Sequence, residues 1–480
     1  MSQKPIIVWF RQELRLSDHP ALVAAAQTGA PVICLYIHDD VTAQSWAQGG
    51  ASRWWLHHSL KALAQSIAQK GGELTLRQGE TVQALEAVIA QTGASAVYFT
   101  RGHNPWSAAL ETRVKTLCEK TGVDCRRFGG FLLFEPEDIR NGSGEPYKVY
   151  TPFSRFCFAA PAPRFPKPAP DSLKGVKLKS DKLESWSLLP TKPDWSKGFT
   201  MWQPGETGAQ QRLADFLDDR LAIYGEARNF PNVEATSGLS AHLHSGDISP
   251  NQIWHAAKAA IAKAQGKHDK SGETFLKEVL WREFSYHLLH HWPHLPDRPF
   301  KPEYADFPWA SDPKGLQAWQ HGLTGYPIVD AGMRELWQTG IMHNRVRMIT
   351  ASFLIKDLLV PWQEGERWFW DTLVDADIGA NAASWQWVAG CGADAAPYFR
   401  IFNPVLQGEK FDADGDYVRR FVPELARLPK TFIHKPWEAP ALVLKEAGVT
   451  LGKTYPNRII DHHFARDRAL AGLKQLKATA

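Results

Sequence analysis

The sequence predicts an α/β unit built on a doubly wound parallel sheet, followed by a second unit that is all helical. Three observations carry this prediction. Short, continuously apolar runs alternate with helical segments over residues 1–130, prolines crowd a break near residue 165, and helical spacing without strand character dominates from residue 206 onward.

Taking the elements in order, Ile6-Ile7-Val8-Trp9-Phe10 and Val32-Ile33-Cys34-Leu35-Tyr36-Ile37 are apolar throughout, the pattern of strands covered on both faces. Helices are expected over Pro20–Thr28, from an N-cap at Ser52 to about Lys70, and over Val82–Gln91, before a further strand at Ala96–Thr100. Strand alternating with helix argues a parallel sheet, which binds ligands beyond its strand ends. Pro161, Pro163, Pro166, Pro168 and Pro170 then mark an extended connector, assigned to residues 131–205. Helical spacing returns in Gln210–Tyr224, Asn251–Gln265, Thr274–His290, Tyr326–Trp337, His343–Leu359 and Glu364–Leu373, so residues 206–480 are read as the helical unit.

Composition excludes more than it selects. With 44% apolar and 22% charged residues the chain is a folded, soluble type, and a net charge of +4 over 480 residues permits nucleic-acid binding without arguing for it. The five cysteines stand apart, without a C-x-x-C pair, so neither a disulfide framework nor a metal site is indicated, and a reducing cytoplasm fits. No signal peptide or membrane span is read: the longest charge-free window, Pro20 to His38, is broken by Gly29 and Pro31. The unusual number is 20 tryptophans.

Two nucleotide-binding motifs fail. Gly452-Lys453-Thr454 has Ala447 where a P-loop needs its first glycine, and Arg11-Gln12-Glu13-Leu14-Arg15-Leu16 follows the first strand in place of G-x-G-x-x-G. Other groupings hold up better. Glu278, Trp281, Arg282 and Ser285 share one helical face, which reads either as a surface ion pair beside a packed indole or as a carboxylate and an aromatic plane offered to a planar ligand. Asn344, Arg345, Arg347 and Met348 precede the mostly apolar Ile349–Ile355, and arginines in a buried helix require anions, for which Asp375 and Asp377 are the candidates. Trp309, Trp319, Trp362, Trp368, Trp370, Trp385 and Trp387 gather around them. Singly these are core residues; beside a redox cofactor, indoles in near contact can also pass electrons.

These residues are similar to those of the DNA photolyase and cryptochrome family. The matching runs are Trp9-Phe10-Arg11 with Leu14-Arg15-Leu16, Tyr147 to Phe153, Thr236-Ser237 with Leu239-Ser240, Trp281-Arg282-Glu283-Phe284, Thr324 to Asp330, Met342-His343-Asn344-Arg345, and Arg400-Ile401-Phe402-Asn403-Pro404. They keep their order over nearly the whole chain.

The resemblance implies an N-terminal antenna domain and a helical domain holding FAD, the photolyase/cryptochrome fold. Carried over by position, Tyr224 and Thr236-Ser237-Gly238-Leu239-Ser240 resemble flavin phosphate and ribose contacts, and Arg347 with Asp375 resembles the ion pair beside the isoalloxazine, with Asp377 and Asn344 bordering it. Asn381 matches the position facing flavin N5, which tunes the cofactor. Trp385, Trp362 and Trp309 resemble the proximal, middle and surface members of a photoreduction chain, with a second route through Trp387 or Tyr398 left open. Glu278, Trp281, Arg282, Asn344, Arg345, Met348 and Trp387 resemble the DNA-lesion pocket, and Arg228, Arg345 and Arg400 the contacts to flanking phosphates.

The family resemblance extends to function: light-driven splitting of cyclobutane pyrimidine dimers in UV-damaged DNA by a monomeric deoxyribodipyrimidine photolyase, in the style of the bacterial class III enzymes. Histidines that (6-4) enzymes place near Asn344 and Met348 are absent, and Asn381 stands where plant cryptochromes carry Asp. A cryptochrome-type blue-light receptor is the alternative, disfavoured by the short tail after Ala465. The family pattern is departed from at two places: Ile341 replaces a tryptophan common before Met342, and the pair Trp106-Ser107 replaces an Asn-Glu pair at the usual contacts of a 5,10-methenyltetrahydrofolate antenna, the antenna expected here.

Overall fold

A computed structural model describes residues 3–394 and 399–479. Five strands, β1 (Ile6–Phe10), β2 (Val32–His38), β3 (Leu74–Gln78), β4 (Ala96–Thr100) and β5 (Asp124–Phe128), form one parallel sheet in the order β3-β2-β1-β4-β5. β1 runs between β2 and β4 with Val8 opposite Cys34 and Tyr98. Alternate residues face opposite ways: Ile6, Val8 and Phe10 pack on α1 (Pro20–Gln27) and α2 (Gly50–Gln69), whereas Ile7 and Trp9 pack on α3 (Thr81–Thr92) and α4 (Ser107–Thr121). Covering both faces is what makes the two central strands apolar throughout.

Three local readings change. The helix expected from a Ser52 cap begins earlier, at Gly50, because the Gly50 N–H is capped by Asp371 Oδ1 at 2.8 Å from the distant half of the chain. Gly49 must lack a side chain there, since a Cβ would lie 2.4 Å from the Asp371 backbone. The helix expected to run unbroken from His343 to Leu359 is regular only over Asn344–Ser352, widens over Phe353–Asp357, and ends where Leu359 adopts φ +57°. Strand β5 escaped notice because Asp-Cys-Arg-Arg-Phe is an edge strand with little buried surface.

The stretch assigned as a connector contains a helix, α5 (Tyr150–Ala159), which joins the core of the helical half. That half follows as α6 (Glu206–Asp215), α7 (Tyr224–Ala227), α8 (Ser240–Ser245), α9 (Pro250–Lys263), α10 (Asp269–His291), α11 (Pro313–Gln320), α12 (Pro327–Thr339), α13 (Asn344–Ser352), α14 (Trp362–Thr372) and α15 (Ile378–Ala389). Shorter helices α16 (Pro404–Phe411), α17 (Asp416–Phe421) and α18 (Ala441–Ala447) lead to α19 (His462–Thr479). Two apolar cores, one around α12–α15 and one around α5 and α10, flank the segment where the site forms.

Buried polar contacts lock the halves together. Asp247, fully buried, accepts from Trp55 Nε1 at 3.0 Å, Ser59 Oγ at 2.9 Å and the Gly205 N–H at 3.0 Å, and lies 2.9 Å from His242 Nδ1. Arg15 reaches across to the Gly246 carbonyl at 2.9 Å, and Glu206 accepts from the Leu16 and Ser17 N–H groups. Replacing Asp247 with Ala strands three donors in a dry interior, so the variant loses about 3–5 kcal/mol. A lowered thermal midpoint of the full chain is the expected result; an unchanged midpoint contradicts the assignment.

Candidate active site

A cavity of about 970 Å³ opens among α6–α8, α10 and α12–α15, a volume at the upper end of small-molecule sites. Local sequence explains how each wall is placed.

One wall descends from α13. His343 accepts the Arg345 N–H on Nδ1 at 3.2 Å and so caps the helix; burial, with Arg347 and Arg345 nearby, pushes the imidazole down to about 4 and keeps it neutral. The cap presents Asn344 and Met348 to the cavity, with Arg347 behind them. Arg347 donates from Nη2 to both Asp375 oxygens at 3.0 and 2.9 Å and from Nε to the Met342 carbonyl at 2.7 Å, so the partly buried arginine has the anion the sequence pattern called for. Asp377 does not join this pair. It caps α15 through the Ala380 N–H at 2.8 Å and accepts from Tyr286 OH at 2.6 Å, a phenol that burial and the Asp377 charge keep protonated.

From α15, Asn381 donates through Nδ2 to the Glu366 carbonyl at 3.0 Å, which leaves its amide oxygen without a hydrogen-bond donor among the described residues. Trp385 and Trp387 lie on the same cavity wall, and Gln386 between them is held by the Leu295 and Arg298 carbonyls and the Phe300 N–H. Glu366, which sequence reading passed over, is buried with both carboxyl oxygens unpartnered, and burial raises its pKa well above the usual range, so it is a neutral acid. Only its position in an apolar helical stripe could have drawn attention to it.

The tryptophans differ in burial. Trp385 borders the cavity and packs on Phe369 at 5.0 Å; Trp362 is wholly within the core; Trp309, partly exposed, packs on Phe307 at 4.5 Å and on the rim of that same core. Neither Trp362 nor Trp309 borders the cavity. Tyr398 lies outside the described residues.

At the mouth, Glu278 pairs with Arg228, and Arg228 also lies over the Tyr224 ring at 5.4 Å. Trp281 stacks flat on Tyr150, with centroids 3.6 Å apart and planes 6° from parallel. Tyr150 was missed because it lies in the segment read as connector. Arg345 lies over Phe411 at 4.4 Å and donates to Asn229 at 2.7 Å; burial, together with the charges of Arg228 and Arg400, lowers its pKa, which marks a cluster of like charges at this rim. Arg400 is exposed, and neither it nor Arg345 borders the cavity itself. Arg282 touches the cavity; its Nη1 donates to Glu283 and the Phe131 carbonyl, its buried Nε and Nη2 have no partner among the described residues, and its plane lies over the Phe131 ring at 4.4 Å.

At the opposite end, Thr236, Ser237 and Ser240 offer hydroxyls beside Gly238 and Leu239. Hydroxyls at one end, an ion pair and an oriented amide in the middle, and apolar and aromatic walls throughout fit a flavin dinucleotide, with polar donors for its phosphates and a flat apolar slot for its rings. Among the described residues no group of side chains suits a metal ion, and no helix is long and apolar enough to cross a membrane.

Known proteins resemble this chain in sequence and fold. A family model described as DNA photolyase matches residues 6–171, and one described as the FAD binding domain of DNA photolyase matches residues 275–475. A relative from Agrobacterium fabrum named deoxyribodipyrimidine photo-lyase is 53% identical over 478 residues, spanning 99% of this chain and 98% of the relative. Cryptochrome-1 of Arabidopsis thaliana is 37% identical over 489 residues, spanning 99% of this chain and 71% of that protein. The crystal structure of a bacterial class III photolyase from Agrobacterium tumefaciens superposes with a TM-score of 0.96 at 52% identity, covering 100% of this chain and 98% of that one. With family models over both the sheet and the helical units, and a relative 53% identical over 99% of the chain, this chain belongs to the DNA photolyase/cryptochrome family.

Proposed function

We propose that this protein is a deoxyribodipyrimidine photolyase that uses light to split cyclobutane pyrimidine dimers in DNA. One observation carries the reading: a single cavity is lined both by the Arg347–Asp375 ion pair and Asn381, suited to a flavin, and by Glu278, Arg228 and Trp281, the last stacked on the buried Tyr150. Bound FAD supplies the light-absorbing one-electron donor. The 53% identical photo-lyase supports repair over the signalling role of the more distant cryptochrome.

The chain's own groups perform the rest. Arg228, Arg345 and Arg400 grip backbone phosphates on either side of the lesion, and the stacked Trp281–Tyr150 pair walls the pocket for a nucleotide pair flipped from the duplex, which costs a few kcal/mol and less at a damaged site. Glu278 gives up Arg228 as partner and hydrogen-bonds the dimer carbonyls; Asn344 and Met348 line the same pocket. Asn381, held by the Glu366 carbonyl, would offer its free amide oxygen to the flavin, and Arg347 with Asp375 would balance charge beside it. Trp385, Trp362 and Trp309, graded from cavity edge to partly exposed, relay electrons inward when the cofactor must be reduced. A methenyltetrahydrofolate-type antenna, proposed from the resemblance of the sheet domain, widens light capture. All these groups come from one chain, so we assign a monomer, and five free cysteines suit a reducing cytoplasm.

The reading is tested by illuminating the reduced holoprotein with a UV-damaged oligonucleotide and counting restored thymines; no restoration under blue light overturns it. Glu278→Ala is expected to lower the repair yield by roughly tenfold or more, as loss of a placed transition-state hydrogen bond does, while retaining FAD. Trp385→Phe is expected to block photoreduction, followed by absorption during illumination, yet to spare repair by chemically reduced protein. Photoreduction at the wild-type rate in that variant removes Trp385 from the relay.

A further inference from the structure

At the hydroxyl end of the cavity lies a cation that neither the sequence reading nor the proposed mechanism uses. Arg212, on α6, stacks its guanidinium 4.8 Å from the centre of the Trp202 ring and donates from Nη2 to the Met201 carbonyl at 3.2 Å. Its Nη1 stands beside Gly238, where a Cβ would come within 2.6 Å of it. Arg212, Trp202 and Gly238 all line the cavity.

What distinguishes Arg212 is the lack of an anion. Arg347 has Asp375, Arg228 has Glu278, Arg282 has Glu283, and Arg220 has Glu234. Arg420 is exposed, with Glu335 close by. Arg212 makes no ion pair among the described residues; burial and the neighbouring Arg220 charge hold its pKa below the ordinary arginine value, although the carboxylates of Glu234 and Asp215 oppose the shift. A half-buried guanidinium without an ion-pair partner is partly stripped of its hydration, and an aromatic platform offsets only part of that cost. The arrangement is stable as a waiting site for an anion, and the neighbouring hydroxyls of Thr236 and Ser237 supply the neutral donors such an anion would also need.

We propose that Arg212 binds the diphosphate of the flavin dinucleotide, and that position 238 is glycine because the Arg212 guanidinium fills the space a side chain would take. Gly238 is suited twice over, since its φ of +62° lies in the left-handed region that L side chains rarely adopt. The charge of the cofactor is thereby matched far from its reacting ring, and the site selects the dinucleotide over uncharged flavins.

The test uses the full-length chain freed of flavin and titrated with FAD at several salt concentrations, for the wild type, Arg212→Gln, Arg212→Lys and Trp202→Phe. Arg212→Gln is expected to weaken FAD binding about 10- to 100-fold, as loss of a charge-assisted contact does, and to flatten the dependence of affinity on ionic strength. Arg212→Lys, which keeps the charge, should recover part of the affinity and the salt dependence, and Trp202→Phe should leave the salt dependence intact. Unchanged affinity in Arg212→Gln overturns the proposal. So does weakened binding with an undiminished salt dependence, which would mark Arg212 as a packing residue only.

Discussion

Helices α14 and α15 approach so closely at Gly365 that any side chain there would stand where the Trp385 indole lies, 2.1 Å from its nearest ring atom. Glycine inside a helix costs about 0.5–1 kcal/mol, and here the cost is offset by an indole packed into the space it leaves. The site's geometry follows from this contact. It brings the Glu366 carbonyl within reach of Asn381, which orients that amide, and it seats Trp385 between the cavity and the core. Asp377 caps the same helix, so the charged and redox-suited groups share one rigid element.

A dry interior sorts the ionisable groups by the partners they have. Arg347 and Asp375 pair at hydrogen-bond distance, so opposite charges meet within the cavity wall. His343 and His244 have no such partner at full strength, and burial lowers both, so each is a neutral imidazole among charged neighbours. Glu366 goes the opposite way for the same reason and remains an acid. The net effect is a cavity whose charges sit at named places, the ion pair in the middle and the arginines at the two ends, against a background held neutral.

The parts legible in the sequence were those whose cause is local or whose chemistry is costly to bury. The apolar runs of β1 and β2 announced a covered sheet, and arginines ahead of the apolar stretch after Met348 announced a counter-ion, found as Asp375. The illegible parts depend on residues far apart in the chain. Nothing near Gly50 tells that Asp371 will cap it, and nothing near Tyr150 tells that it will stack on Trp281. Arg212 reads locally as one more polar residue on an amphipathic helix; only the fold shows that it lines the cavity, stacked on Trp202.

The cap on α2 also bears on how the chain matures. The Gly50 N–H waits for a carboxylate 321 residues further along, and the Trp55 indole for one 192 residues along. On a ribosome that emits roughly 5–20 residues per second, the sheet domain therefore emerges many seconds before the groups that complete its second helix. It must form its own hydrophobic layers from short-range contacts first and hold an open flank with unsatisfied donors until the helical half docks. That flank is the chain's exposed moment, when a chaperone's grip or a neighbouring nascent chain can decide between folding and aggregation.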